Sequence, residues 1–487
     1  MQAPPRPRLV AVAWPLMAEL VLGFGVGLLG LWLASRESDV ASAAFAMSNN
    51  VLGAFFLLFR IVSMGVSVVI TQNLGAGHRD GADRLARASL GASTWLGILA
   101  AIVVFSGAGP LLSLLHAPGP VRALGQPYLQ VLAFALLLDA YNASMSAVMR
   151  AHLRTRDAMF NILAMHSVHL LFCLPLMRGV GSWPGLGLPG FAVAMAISRL
   201  VGVSAHLWLW KRRLSLVPLA HDWWRLHRGV LGPAVHIGLP GAAEAIAYRL
   251  AMLASLTIVA GMGTESLATH TYASQLMTVI VLFTVSIAFA GEILVGHLVG
   301  AGQLHQANRM VRRSLYIGWG VSFCIAVTAA ATAPWTLRLF THDPAIIASA
   351  TTLLWITVAL EPGRTCNVVL VNALRATGDA RFPVMVGAFS MLIVMAGGSW
   401  LLGRYFGLGL VGVWIAYAAD EWVRGLLMVW RWFGLGWTGV ARATRRRVNH
   451  QRRTLNGAGS VTSMNGAGSV TLPATEKTSP RRPEQTG

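Results

Sequence analysis

Residues 74–90 read LGAGHRDGADRLARASL, and residues 299–315 read VGAGQLHQANRMVRRSL. Gly75-Ala76-Gly77 returns as Gly300-Ala301-Gly302, an offset of 300 − 75 = 225 residues. Ala82, Arg84, Arg87, Ser89 and Leu90 return as Ala307, Arg309, Arg312, Ser314 and Leu315. Working outward, the same offset relates Pro15 and Glu19 to Pro240 and Glu244. It also relates Asn142, Arg150, Ala151 and Arg156 to Asn367, Arg375, Ala376 and Arg381. A duplicated membrane segment is a sequence signature of secondary transporters, which bind substrate between two halves and rock them.

The membrane setting follows from composition. Of 487 residues, 55% are hydrophobic and 11% charged, with a mean hydropathy of +0.61. A water-soluble domain carries about 25% charged residues. The net charge of +20 raises the possibility of a nucleic-acid binder, but its placement excludes that reading. Basic residues sit between apolar stretches and in the C-terminal tail, as in cytoplasmic loops of membrane proteins, where they also meet anionic lipid. No nucleic-acid motif accompanies them. Cys173, Cys324 and Cys366 all fall in apolar stretches, an odd number that reads as small core residues rather than disulfides. No small-residue cleavage site closes the first apolar run, so no cleavable signal peptide is expected. Lys211 and Lys477 are the only lysines, a bias that hints at a GC-rich bacterial genome.

A bilayer-spanning helix needs about 20 mainly apolar residues. That rule places spans at 12–34, 43–72, 89–115, 123–149, 158–177 and 188–210 in the first copy. In the second it places them at 234–259, 267–297, 314–337, 347–373, 382–401 and 409–432. Loops on the side of the N-terminus hold 18 basic residues; those on the other side hold 5. The positive-inside rule then puts both termini in the cytoplasm of a bacterial inner membrane. Six spans is an even number, so the copies run parallel rather than inverted. The expected fold is an all-α integral membrane protein of 12 transmembrane helices in two parallel six-helix repeats. The N-terminal lobe is read as 1–212, a linker as 213–231 and the C-terminal lobe as 232–437. A basic, low-complexity tail at 438–487 is expected to be disordered; it repeats NGAGSVT at 456–462 and 465–471.

An ATP-driven pump needs a GxxxxGK[ST] loop. Lys211 is followed by Arg212, and Lys477 is preceded by Glu476 in the tail. Uphill transport would therefore run on an ion gradient.

With these residues in view, the chain resembles the multidrug and toxic compound extrusion (MATE) antiporters. Leu74-Gly75-Ala76-Gly77 and Val299-Gly300-Ala301-Gly302 are similar to that family's loops after the second and eighth helices. LRATGDARFP at 374–383 is similar to its LRGxGDTRFP loop after the tenth. The stretch from Gly409 to Trp414, running on to Asp420-Glu421, resembles its twelfth-helix signature. The likeness covers roughly residues 10–437. It implies a V-shaped pair of bundles exporting cationic, amphipathic compounds in exchange for H+ or Na+. There are departures. Many members carry an Asp midway along the first helix, where this chain reads Gly27-Leu28-Leu29-Gly30-Leu31-Trp32. The RGxGD loop of the first copy is replaced by Arg150-Ala151-His152-Leu153-Arg154-Thr155. Ion coupling is accordingly expected mainly in the C-terminal lobe.

Seven acids fall inside the expected spans: Glu19, Asp139, Glu244, Glu292, Glu361, Asp420 and Glu421. Arg60, Arg199, Arg249, Arg364 and Arg424 join them. Each costs about 2.5–3.5 kcal/mol at a helix centre, so each is a functional candidate by default. Glu361 and Arg364 are i,i+3, and Asp420 and Arg424 are i,i+4, so each pair shares a helix face; an internal ion pair is as good a reading of them as a role in transport. Glu421, three before Arg424, is expected to join that pairing. Glu244 has Tyr248 as its i+4 neighbour and no cation on its own face, which suits a carrier of H+ or a Na+ ligand. Arg199 or Arg424 could still reach it from another helix, and its counterpart acid in the resembled family is a coupling residue. Glu19 occupies the equivalent repeat position near the cytoplasmic mouth. Asp139, with Tyr141 and Asn142 beside it, is read as an N-lobe polar cluster, and Glu292 as an end-of-span residue that snorkels to water.

His166, His169 and Cys173 have metal-ligand spacing but read more naturally as helix packing. The expected activity is efflux of small cationic or amphipathic molecules by a monomer, with no cofactor beyond H+ or Na+, membrane lipid as its other partner, no nucleic acid and no enzymatic chemistry. A lipid-linked oligosaccharide flippase is the alternative; it would prefer a cationic lumen.

Overall fold

A computed structural model describes residues 8–450. Among the described residues the chain folds into twelve long helices. The first lobe holds α1 (Leu9–Glu37), α2 (Asp39–Gly75), α3 (Arg79–Leu114), α4 (Gly119–Ala151), α5 (Thr155–Arg178) and α6 (Leu188–Leu209). The second holds α7 (Arg228–Ala260), α8 (Thr264–Gly300), α9 (Leu304–Thr336), α10 (Pro344–Thr377), α11 (Arg381–Tyr405) and α12 (Gly409–Phe433). Eleven are long and apolar enough to cross a membrane. The twelfth, α12, has 25 residues and carries Asp420, Glu421, Arg424 and Arg431. Every expected span lies within one of these helices, apart from one residue at the ends of the third, sixth and ninth.

The helices run further than apolarity alone indicates, because their ends are stopped by local chemistry. Ser38 caps α2 by accepting from the Ala41 amide. Asp343 caps α10, with Pro344 in its first turn. At the other end of α10, Gly378 takes φ +96°, the left-handed conformation that closes a helix. The largest shifts are at α3, which begins at Arg79 rather than 89, and at its repeat twin α9, which begins at Leu304 rather than 314, so Arg84, Arg87, Arg309 and Arg312 lie on helix rather than loop. From Met391 to Tyr405, α11 is wound mostly as π-helix.

Large apolar side chains face outward around both lobes; Phe134 is 64% exposed and Trp430 66%. A water-soluble fold does not present such a belt, and a bilayer favours it. Inside, each lobe has its own apolar cores.

The lobes meet where the loops after α2 and α8 lie, and there the repeat becomes a spatial symmetry. A Cβ on Gly75 would lie 2.1 Å from the His297 carbonyl oxygen, and a Cβ on Gly300 2.1 Å from that of Gln72. The two contacts are one contact written twice, since 300 − 75 and 297 − 72 both equal 225. Only glycine allows backbones this close. Gln72 Nε2 donates to the Ala376 carbonyl (2.8 Å), and His297 Nε2 donates to that of Ala151 (2.9 Å), again a 225-residue pair. Further along the same seam, a Cβ on Gly65 would collide with Ala234, and one on Gly238 with Ile61.

Two expectations need correction. Residues 438–450 were assigned to the disordered tail, but a helical segment runs from Trp437 to residue 450. Trp437 stacks on Trp432 at 4.3 Å, and Thr444 donates to the Thr377 carbonyl. Its buried face, Trp437, Ala441, Thr444 and Val448, has helical spacing, which basic composition concealed. Residues 451–487, including the NGAGSVT repeats, lie outside the described residues. Of the cysteines, Cys173 and Cys366 are buried, whereas Cys324 is exposed on α9.

Candidate functional site

The acids fall into four groupings, the first of which follows the repeat. In the first lobe, Arg150 in the last turn of α4 donates to Glu19 of α1 at 2.9 Å. In the second, Arg375 in the last turn of α10 donates to Glu244 of α7. Both members of each pair recur at the 225-residue offset, so the duplication preserved an ion pair and not merely a residue. Glu244 therefore has a cationic partner, and it is neither Arg199 nor Arg424. Reading from sequence placed Arg375 in a loop, whereas α10 continues through it and turns its side chain back into the bundle.

Arg199 of α6 belongs to the first lobe and pairs with Asp139 of α4 at 2.6 Å. Asn142 lies beside it, donating to the Arg199 carbonyl and meeting His206. Tyr141 faces elsewhere, bonded to Thr94 and set edge-on to Trp223.

The third grouping is a network in the second lobe. Arg364 donates to Glu361 (2.6 Å) and to Glu421 (3.2 Å). Arg424 contacts Glu421 at 3.2 Å and Asp420 at 2.5 Å. Asn367 donates to Glu421, and Ser390 of α11 donates to Asp420. Three carboxylates thus meet two guanidiniums, leaving one negative charge in excess when all are ionised. All five are buried, Glu361 completely. Its second oxygen, Oε2, has no hydrogen-bond partner among the described residues. A buried carboxylate oxygen left unpaired is costly unless a proton or cation occupies it.

The fourth grouping is the one sequence reasoning undervalued. Glu292 does not snorkel to the outside; it is buried and faces a cavity of about 370 Å³ between the lobes. Arg60 of α2, Met64, Ser67, Arg150 and Phe289 line it too. A second cavity of about 480 Å³ opens into the C-terminal lobe, lined by Glu244, Tyr248, Arg364, Arg375, Glu421 and Arg424 among others. The two chambers share Arg60, Val285 and Phe289. Of the expected site residues, Glu244, Tyr248 and Arg364 line the cavity wall. Glu361 and Asp420 stand behind it, Glu19 adjoins the inner chamber through Arg150, and Asp139 lies apart inside the first lobe. The repeat offset was the available signal for Arg150 and Arg375; for Arg60 and Glu292 the signal was charge at membrane depth alone.

His166, His169 and Cys173 do not converge. His169 packs edge-on to Phe191 at 4.6 Å, and Cys173 faces the Met177 sulfur. Among the described residues no three such side chains gather as metal ligands.

Comparison with known proteins bears on this arrangement. A sequence profile of the MatE family matches residues 15–174 and 240–400; the starts of the two blocks differ by 240 − 15 = 225, the internal repeat. The chain is 32% identical to the uncharacterized transporter YisQ of Bacillus subtilis, across 88% of this chain and 94% of that one. It is 26% identical to the probable multidrug resistance protein NorM of Thermotoga maritima, across 91% and 95%. It is 23% identical to the multidrug resistance protein PmpM of Pseudomonas aeruginosa, across 91% and 93%. A solved structure of MATE in the bent conformation superposes with a TM-score of 0.82 at 18% identity, covering 90% of this chain and 96% of the other. That last likeness is one of fold.

Proposed function

This chain belongs to the MatE family, and from that premise we propose that it is a secondary active efflux antiporter of a bacterial plasma membrane. It exports organic cations or other amphipathic compounds through the cavity between its lobes, in exchange for H+ or Na+. Both termini lie in the cytoplasm, where the basic loops are, so the glycine-tight seam closes the cytoplasmic side. Each chain supplies both walls of the cavity, which supports action as a monomer.

One observation carries the reading: the cavity touches a buried network with one carboxylate more than it has guanidiniums. Taking up one cation neutralises that network, and releasing it restores the charge. Its members reach α10, α11 and α12 together, so the change is felt across the lobe. A proton fits Glu361 Oε2 better than a metal ion does, because hard cations gather several oxygens at once and this one stands alone. Glu244, on the cavity wall, is where cationic cargo competes with Arg375 for a carboxylate. Together Glu244 and Glu361 are the coupling pair, with Asp420, Glu421, Arg364 and Arg424 setting their charge. Glu19 and Arg150 repeat the wall pair without the network behind it, which supports coupling mainly in the C-terminal lobe.

The test is substrate-driven H+ or Na+ flux in proteoliposomes with each gradient clamped in turn. Glu361→Gln should lose most of the coupled flux while still binding substrate, and Glu244→Gln should lose most of the coupled flux and bind cationic substrate more weakly. Unchanged coupled flux in both variants would sink the assignment.

A further inference from the structure

We propose that the cargo of this cavity carries an anionic group beside its cation, and that Arg60 receives the anion. The proposal rests on the efflux reading and narrows its substrate class to zwitterionic amphiphiles.

The arginines lining the two chambers are not alike. Arg150, Arg364, Arg375 and Arg424 each have a carboxylate partner. Arg60 makes no ion pair and no side-chain hydrogen bond among the described residues, and its side chain is exposed to the cavity. The charges that act on it from across the space are Arg375, Glu244 and Glu292. A guanidinium at membrane depth without a partner costs several kcal/mol on insertion scales and defaults to function.

The repeat supplies an internal control. The counterpart of Arg60 is Val285 (285 − 60 = 225), which lies on the same two chamber walls. The counterpart of Ser67 is Glu292, also on the inner wall. The architecture therefore accepts an apolar side chain at the first position and a small neutral one at the second. Each lobe has placed one charge of opposite sign where its twin has none. Arg60 and Glu292 face the same inner chamber from α2 and α8, and Met64 and Phe289 line it as apolar wall. That arrangement matches a molecule with an acid at one point, a cation at another and an apolar body. The planar fork of a guanidinium suits carboxylate, sulfonate or phosphate oxygens, which it meets with two parallel hydrogen bonds. Volumes of a few hundred Å³ fit a drug-sized molecule.

The competing account is that Arg60 only balances the field of Glu244 and Glu292. The two accounts separate on a matched pair of probes: rhodamine B, which bears a free carboxylate, and its ethyl ester, the same cationic ring without it. Binding is measured by fluorescence anisotropy on the full chain in nanodiscs, and efflux in proteoliposomes. Wild type should bind the acid about tenfold more tightly than the ester, as expected for one charge-assisted bidentate contact. Arg60→Gln should erase the preference by weakening the acid alone. Arg60→Lys, which keeps the charge and loses the fork, should fall between and serves if the glutamine variant does not fold. Equal affinity for acid and ester in wild type, or equal weakening of both in the variants, overturns the proposal. If the acid preference holds but no gradient moves either dye, the efflux reading fails and this one stands. If both dyes are exported without preference, the reverse is true.

Discussion

Arg375, in the last turn of α10, donates to the carboxylate of Glu244 in the middle of α7. The side chains are 6% and 13% exposed, so neither charge is well hydrated without the other. Removing one partner of a buried pair costs about 3–5 kcal/mol, whereas removing both costs far less. Arg375→Gln should therefore lower thermal stability more than the Glu244→Gln/Arg375→Gln double variant, as read by the melting temperature in detergent. A double variant less stable than Arg375→Gln would show that the pair is not what holds α7 to α10.

Methyl groups at the lobe seam should act on conformation before they act on stability. Gly75→Ala and Gly300→Ala each place a carbon 2.1 Å from a carbonyl oxygen of the other lobe. Overpacking of this kind costs about 1–3 kcal/mol, and parting the lobes relieves it. With spin labels at positions 84 and 309 in a background free of native cysteine, the inter-label distance should lengthen in both variants. Unchanged distance distributions would count against the seam as the closing contact.

The paired hydrogen bonds across that seam give a graded version of the same measurement. Gln72→Ala and His297→Ala each remove one bond to a carbonyl of the other lobe, worth about 1 kcal/mol. Both should shift the distance distribution in the same direction and by similar amounts. His297→Gln retains a donor and should shift it less; a larger shift than that of His297→Ala would contradict the assignment.

At the loop after α4, burial holds the pKa of His152 below its usual 6.5, against the opposing pull of its bond to the Val148 carbonyl and of Asp83. The unfolded chain then binds a proton just below pH 6.5 that the folded chain refuses, so stability present above 6.5 is lost as the pH falls through that window. Asp83 is raised from 3.8, chiefly by burial, which favours the folded state as pH falls, but nearer its own lower range. Between pH 7.5 and 5.5 the melting temperature of the wild type should drop more than that of His152→Gln. Parallel curves would remove His152 from the account.

How much of this was legible in the sequence divides along one physical line. Glu361 with Arg364, and Asp420 with Arg424, could be paired from spacing because a helix fixes which residues share a face. Arg375 could not be matched to Glu244 in that way, because 131 residues separate them and nothing local dictates which helices adjoin. Glu19, Glu244, Arg150 and Arg375 nevertheless all stood among the repeated positions, which is how a contact under common constraint leaves its mark in a duplicated chain. Glu292 was misjudged because distance from a helix end does not tell which face meets lipid and which meets a cavity. The helix after Trp437 was hidden because eye and composition both weigh its arginines above the four residues that pack.

The seam between the lobes also constrains time as well as space. Its contacts come in twins placed around one axis, 75 with 297 and 300 with 72. A motion that preserves that axis breaks or forms both twins together. The seam therefore responds as one contact rather than two, and a change at either twin is felt at both.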